Sequence, residues 1–389
     1  MHQIKTMNNI SATVGSILTP DRYLIDDAVT APEGILVRSA KCHDMVFNPE
    51  LRAIARAGAG TNNLPVERCT EAGIVVFNTP GANANAVKEL VFAAMLMNAR
   101  NLADAVNWCK SIAEEGEAIP DLVESSKKRF TGHELLGKKL GVIGLGAIGV
   151  MVANEGYALG MEVCGYDPFI SIAHAWGLSR AVSRSTSLED LLHSCDYVSI
   201  HVPLSDKTHH YINADALSQF KRGATLLNFS RGDLVDDHAV LQALAAGQIS
   251  NYITDFPNQN LVKQQGVTCI PHLGASTPES EENCAVMAAR ELKDYLENGN
   301  INNSVNMPNC TMPRSGGMRI CLIHRNAPNM IGQFTGLLSK RHANISNMIN
   351  QSRGDMAYTI IDLDEKVNNG LENGLAALDH VIRVLVLDD

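Results

Sequence analysis

Residues 139–149 constrain the fold of this chain more than any other stretch. They read Lys139-Leu-Gly-Val-Ile-Gly144-Leu-Gly146-Ala147-Ile148-Gly149, a short apolar run closing in three glycines spaced G-x-G-x-x-G. An Ala-rich apolar segment follows, then a second run, Met161-Glu-Val-Cys-Gly-Tyr-Asp167. The pattern predicts strand, tight turn, helix and strand. In such a unit Gly144 lets the turn close, Gly146 lets the backbone approach a pyrophosphate, and Gly149 lets the helix pack on the strand. The N–H groups of the helix start, at Ala147 and Ile148, then meet the phosphates. Asp167 follows at the distance of about 20 residues where a carboxylate holds both hydroxyls of an adenine ribose. An acid there, rather than Arg or Lys, favours NAD over NADP. A lone glycine motif is weak. Here the strand before it, the helix after it and the acid beyond agree on a dinucleotide.

The rest of the composition narrows the class. A chain of 389 residues predicts two or three domains, and 45% hydrophobic residues suffice for sizeable cores. The net charge of -10 and the lack of a basic face argue against nucleic acid or a membrane surface as partner. Nine cysteines are scattered without a C-x-x-C pair, which predicts reduced thiols in a cytoplasmic protein and no metal site. The first residues lack the apolar core of a signal peptide, and no apolar run is long enough to span a bilayer.

Along the chain, Gly34-Ile-Leu-Val-Arg38 and Gly73-Ile-Val-Val-Phe-Asn78 predict buried parallel strands, and Leu51 to Ala57 fits a strand or a helix end. Ala86 to Asn98 predicts a long, mostly buried helix. From Lys139 to about Pro271 strands and helices alternate, giving six strands of a doubly wound parallel sheet. Ligands of such sheets sit beyond the carboxyl ends of the strands. The candidates for chemistry are therefore His201 to Leu204, Ser230-Arg231-Gly232, Asp255 and Pro271-His272. A capped helix from Ser276 to about Asn298 follows, then an Asn-, Pro- and Gly-rich linker, then a βαββαβ tail of ferredoxin-like order.

Three stretches together carry a resemblance: the glycine turn, Leu227-Asn-Phe-Ser-Arg231-Gly-Asp-Leu-Val-Asp236, and Pro271-His272-Leu-Gly-Ala-Ser-Thr277. The chain resembles the NAD-dependent D-2-hydroxyacid dehydrogenases. The runs Ala55 to Asn63 and Phe77 to Glu89, with the tail, resemble the branch that oxidises 3-phospho-D-glycerate to 3-phosphohydroxypyruvate at the entry to L-serine biosynthesis. The tail is similar to an ACT regulatory domain. The resemblance implies an α/β fold with two Rossmann-like doubly wound domains and a C-terminal ferredoxin-like domain. Its layout would be 1–98 for the first part of a substrate domain, 99–275 for the NAD domain, 276–305 for the return helix, 306–317 for a linker and 318–389 for the ACT-like domain. The active site would lie in the cleft, and the protein would be a homodimer or homotetramer.

The resemblance also assigns roles. Arg231 would grip the substrate carboxylate with its planar fork, and His272 would take the hydroxyl proton. Asp255 would face the nicotinamide carboxamide, with His201, Pro203 and Thr208 near the cofactor. The family places an acid, usually Glu, at the position filled here by Asn260, or by Gln259 if the loop shifts by one. An amide can orient His272 but adds no charge. A phosphorylated 2-hydroxy acid would be held by Arg38 and Lys41, the backbone at Ala59 and Gly60, and Asn83. In the tail, His324, Asn326 and Asn344 match positions that hold L-serine. Two other readings stay open: a dehydrogenase for glyoxylate, hydroxypyruvate or 2-hydroxyglutarate, and an NAD-sensing regulatory protein on the same scaffold. Arg38 would separate the first rival, and retention of Arg231 and His272 argues against the second.

Overall fold

The apolar runs of the sequence are strands of three sheets in the computed structural model, which describes residues 1–315, 317–367 and 370–388. Gly316 of the expected linker, and Asn368, Asn369 and Asp389 of the tail, lie outside the described residues. The chain divides into two units, Met1–Ala82 with Pro278–Asp389, and Asn83–Thr277.

The first unit holds a five-stranded parallel sheet in the order Tyr23–Asp26, His2–Met7, Gly34–Val37, Ala53–Arg56, Val75–Phe77. The ambiguous run at Leu51 is thus a strand. The two N-terminal strands carry no clear strand pattern in the sequence: His2–Met7 is mostly polar with only Ile4 buried, and Tyr23–Asp26 is four residues long with only Tyr23 buried. The helix Pro278–Asn298 returns to cover the sheet. Its buried Cys284, Ala285, Ala288, Ala289, Leu292, Tyr295 and Leu296 recur every three or four residues and form one apolar face. Gly34 makes room for that helix: a Cβ there would come within 2.9 Å of Leu292.

The second unit carries a seven-stranded parallel sheet, ordered Val267–Cys269, Ile249–Thr254, Ala224–Asn228, Tyr197–Ile200, Lys139–Ile143, Glu162–Tyr166, Ser183–Arg184. Six strands were legible; the seventh is a two-residue edge. The order reverses beside Lys139–Ile143, so a switch point opens at the glycine turn. The helix Ala84–Ala99 belongs to this unit, and the first boundary falls at 82/83 rather than 98/99. Val87, Val91, Phe92 and Met95 bury themselves among Leu140, Val142, Val152, Ala153 and Val163, which fixes the helix here.

The tail has the βαββαβ order, with an antiparallel sheet Ile345–Arg353, Met356–Leu363, Met318–Arg325, Val381–Asp388. Its strand Met318–Arg325 alternates faces. Ile320 and Leu322 pack with Phe334, Leu338, Leu371 and Leu375 of the tail's own helices, while Cys321 and Ile323 join Tyr358, Ile360, Leu385, Leu387, Tyr295, Leu296 and Ile301. The tail expected to stand apart therefore shares a core with the first unit. The expected linker is clamped too: Ile301 and Cys310 form an antiparallel bridge, and Arg319 donates to the carbonyls of Met312 and Pro313. No helix among the described residues is long and apolar enough to cross a membrane.

Candidate active site

The glycine turn has the geometry its spacing predicts. Gly144 adopts φ +88°, and a Cβ there would meet the His201 carbonyl at 2.7 Å. A Cβ on Gly149 would stand 1.9 Å from the Gly144 oxygen, so only glycine lets the helix Ala147–Ala158 seat on the turn. Gly146 meets nothing within 4 Å. It caps the helix without a side-chain bond, and Ala147 and Ile148 stay partly exposed. This is open space at a helix N-terminus, as a pyrophosphate requires. Asp167 is held in place by the Leu145 and Phe169 amides, which donate to its two oxygens at 2.8 Å each. Its remaining lone pairs suit two ribose hydroxyls.

At the ends of the neighbouring strands, Arg231, Asp255, His272 and Asn260 line one cavity of about 760 Å³. Arg231 and His272 are exposed. Arg231 donates from Nη1 to the Ser230 carbonyl at 2.6 Å, which leaves its other donors for a ligand. The His272 ring rests on Phe256, with centroids 4.8 Å apart. Asp255 is 1% exposed, and neither of its oxygens has a hydrogen-bond partner. Burial pushes its carboxyl above the usual carboxylate range, against the pull of His272, the nearby Gly274 backbone N–H and Arg231. A buried acceptor pair without a well-aligned donor is costly unless a ligand completes it, and a carboxamide N–H group would do so. His201 adds a second such atom. Its Nε2 contacts Ser199 Oγ at 2.8 Å, its Nδ1 is buried without a partner, and burial holds its pKa down at about 3. The residues present therefore fit a nicotinamide dinucleotide.

Other expectations are sharpened or corrected. The Thr208 hydroxyl donates to the Pro203 carbonyl at 2.6 Å and accepts from Ser205 N at 2.8 Å, so it locks its own loop. Asn260 lines the cavity with His272 but makes no hydrogen bond to it; its backbone N–H donates to Asn258 Oδ1, and Asn258 is in turn tied to Asp237. Lys127, Lys128 and Arg129 lie exposed on a short helical turn.

In the first unit, Arg38 follows the strand Gly34–Val37, and its Nη2 pairs with Glu281 Oε1 at 2.7 Å. Lys41 and Ala59 are exposed, and Gly60 is half-buried. The Ala59 carbonyl accepts from Asn78. Asn83 lies in the second unit with its Oδ1 buried and unpartnered. One cation was missed. Arg56 ends the adjacent strand, in register with Val37, and its Nε donates to Asn63 Oδ1 at 3.0 Å. The signal was present: Arg38 just past one parallel strand and Arg56 at the end of its neighbour lie together at the carboxyl ends of the strands.

The three tail residues do not converge. His324 is 2% exposed, with Nε2 on Thr359 Oγ1 at 2.9 Å and Nδ1 on the Arg325 carbonyl at 2.8 Å. Both ring nitrogens are engaged, and burial lowers the pKa. Asn326 donates to Gly354 O, and Asn344 donates to Asp364. The register pairs Ile345 with Leu363 and Leu363 with Met318, so Asn344 sits at the opposite end of the sheet from His324. Six residues of strand, about 20 Å, separate them.

Comparison with known proteins agrees with this geometry. The family described as D-isomer specific 2-hydroxyacid dehydrogenase, NAD binding domain, matches residues 92–274. D-3-phosphoglycerate dehydrogenase of Haemophilus influenzae is 33% identical over 87% of this chain and 82% of its own length. The enzyme of that name from Escherichia coli is 32% identical over 91% and 86%. That from Methanocaldococcus jannaschii is 36% identical over 79% of this chain, which spans only 57% of that relative. Among solved structures, NAD⁺-bound 3-phosphoglycerate dehydrogenase of Entamoeba histolytica has a TM-score of 0.60 at 24% identity, covering 78% of this chain and 98% of its own. A glyoxylate reductase from Paecilomyes thermophila reaches 0.63 at 21%, with the same coverage. At these identities the two structures attest the fold. The sequence relatives attest the family: the chain belongs to the D-isomer specific 2-hydroxyacid dehydrogenases, among relatives that carry the D-3-phosphoglycerate dehydrogenase name.

Proposed function

We propose that the chain oxidises 3-phospho-D-glycerate to 3-phosphohydroxypyruvate with NAD, the first step of L-serine biosynthesis. The observation that carries this reading is the meeting of Arg231, Asp255 and His272 in one cavity, beyond the strand ends of the sheet that also carries the glycine turn. Arg231 binds the substrate carboxylate in a bidentate grip and fixes C2. His272 accepts the C2 hydroxyl proton as the carbonyl forms. A dinucleotide held by the glycine turn and Asp167 would supply the hydride acceptor for C2. Asp255 and His201 position the carboxamide that their buried atoms await. Arg38, Lys41 and Arg56 supply positive charge for the phosphate. The relatives named D-3-phosphoglycerate dehydrogenase support this substrate over glyoxylate.

The same reading makes the protein a cytoplasmic homo-oligomer. Its nine free thiols fit a reducing compartment. The helices Leu102–Ser111 and Ile119–Ser126 bury no residue, and Leu102 and Val106 are about half exposed, which suits contact with a second copy. Control by L-serine at the tail finds no support within one chain, because His324 is satisfied and lies far from Asn344. The substrate claim is tested by Arg38→Ala. It should raise KM for 3-phosphoglycerate at least tenfold more than KM for D-glycerate, as loss of a charged hydrogen bond implies (about 1.5–3 kcal/mol). Equal losses on both would favour an unphosphorylated substrate.

A further inference from the structure

The phosphate side of the first unit already contains an anion. Strands Gly34–Val37 and Ala53–Arg56 run parallel, and their register sets Arg38 and Arg56 together at the carboxyl edge of the sheet, where the strands end. Asn63 fixes both. Its Oδ1 accepts from Arg56 Nε at 3.0 Å, and its Nδ2 donates to the Ala40 carbonyl at 2.8 Å and the Arg38 carbonyl at 3.4 Å. Asn63 is itself 8% exposed, so this edge is built rather than incidental. Glu281 reaches it from the first turn of the 21-residue helix Pro278–Asn298, where the helix dipole favours a carboxylate. Its Oε1 lies 2.7 Å from Arg38 Nη2.

We propose that Glu281 is an internal competitor for Arg38, and that it sets the affinity of this edge for a phosphate group. The inference rests on the substrate reading above, which gives Arg38 to the phosphate. No covalent bond changes. The arriving phosphate oxygen takes the guanidinium contact that the Glu281 carboxylate held, and the released carboxylate is left beside a doubly charged group. Binding therefore gains only the difference between two anions on one cation. A singly charged substrate without phosphate does not contest the pair. Glu281 thus sets how much affinity a phosphorylated substrate draws from Arg38, and it speeds release of a phosphorylated product. Both side chains are roughly one-third exposed or more, so solvent and salt screen the effect and keep it modest.

The variant Glu281→Gln keeps the side-chain shape and removes the charge. Titration of inorganic phosphate against the melting temperature of the full chain should show half-saturation at about 2- to 5-fold lower concentration than in the parent. KM for 3-phosphoglycerate should fall by a similar factor, and KM for D-glycerate should not fall with it. The gain should shrink as salt is raised. Glu281→Asp, one methylene shorter, should give a smaller gain of the same sign. In an Arg38→Ala background, Glu281→Gln should add nothing. The inference is overturned if Glu281→Gln binds phosphate no better than the parent, or if its gain survives without Arg38. The phosphate titration judges the inference by itself. A parent protein that fails to oxidise 3-phosphoglycerate removes the substrate reading instead.

Discussion

Arg319 is 1% exposed, and its five N–H donors all meet acceptors: the two Asp362 oxygens at 2.6 and 2.8 Å, and the carbonyls of Asn298, Met312 and Pro313. Arg231 is exposed and spends one donor on its neighbour's carbonyl. Beside it Asp255 lies buried with no well-aligned donor on either oxygen. The contrast separates architecture from function. A guanidinium whose fork is filled by the chain holds segments together, here the helix end, the linker and the tail sheet. A guanidinium left open next to an unsatisfied carboxylate is waiting for something the chain does not supply. The tail histidine falls on the first side of this line and His272 on the second, although both sit at or just beyond a strand end in the sequence.

The contrast breaks if the open cluster proves structural. His272→Asn should lower kcat/KM by about 10²–10⁴-fold, as loss of a general base does, while the melting temperature and the NAD affinity stay near the parent values. A matching loss of stability would move His272 to the architectural side. The reverse holds for Arg319→Ala. It leaves the Asp362 carboxylate buried without its counter-charge, held only by Ser315, and should destabilise the first unit by about 3–5 kcal/mol in denaturant unfolding. Acid should report the same clamp. Burial by itself would raise the Asp362 carboxyl, yet the Arg319 and Ser315 contacts hold it below the usual range. Its stabilisation is therefore complete above the unfolded carboxylate value and lost as pH falls through the folded one. Arg319→Ala should weaken that acid dependence.

Glu291 sharpens the comparison from the alkaline side. It is 8% exposed, Asn303 donates to one oxygen, and the other has no partner. Burial raises its pKa to about 8. The folded state then holds a proton that the unfolded state releases above about pH 4.5, so stability falls as pH rises from there to 8. Glu291→Gln mimics the protonated form, and its melting-temperature advantage should grow between pH 5 and 8. An advantage constant with pH would place the proton elsewhere. The smallest effect is expected at Asn260. A carboxylate introduced by Asn260→Glu in the His272 cavity should stabilise the imidazolium and move the acid limb of the kcat/KM profile upward by about one unit. An unchanged limb would show that Asn260 does not act on His272.

The local features of this fold were legible in the sequence because neighbouring residues fix them. Gly144, Gly146 and Gly149 announce the turn, and the strand ends announce Arg231, Asp255 and His272. What stayed hidden depends on distant partners. Arg319 and Asp362 are far apart in sequence, and nothing local says that they clamp the linker. Strand His2–Met7 buries one side chain, too weak a pattern to see alone. The expected convergence of His324, Asn326 and Asn344 failed on sheet register, which a linear reading cannot count. The pairing of Arg38 with Glu281 likewise depends on the helix returning to the first sheet.

The central claim is that the open cluster is a hydride-transfer site for a phosphorylated 2-hydroxy acid. It is tested most directly by NADH formation at 340 nm from NAD and a panel containing 3-phospho-D-glycerate, D-glycerate, glycolate and D-2-hydroxyglutarate. NADH should form from 3-phospho-D-glycerate at the highest kcat/KM of the panel, and its formation should be lost in His272→Asn. Retained NAD binding without turnover of any member would contradict the claim.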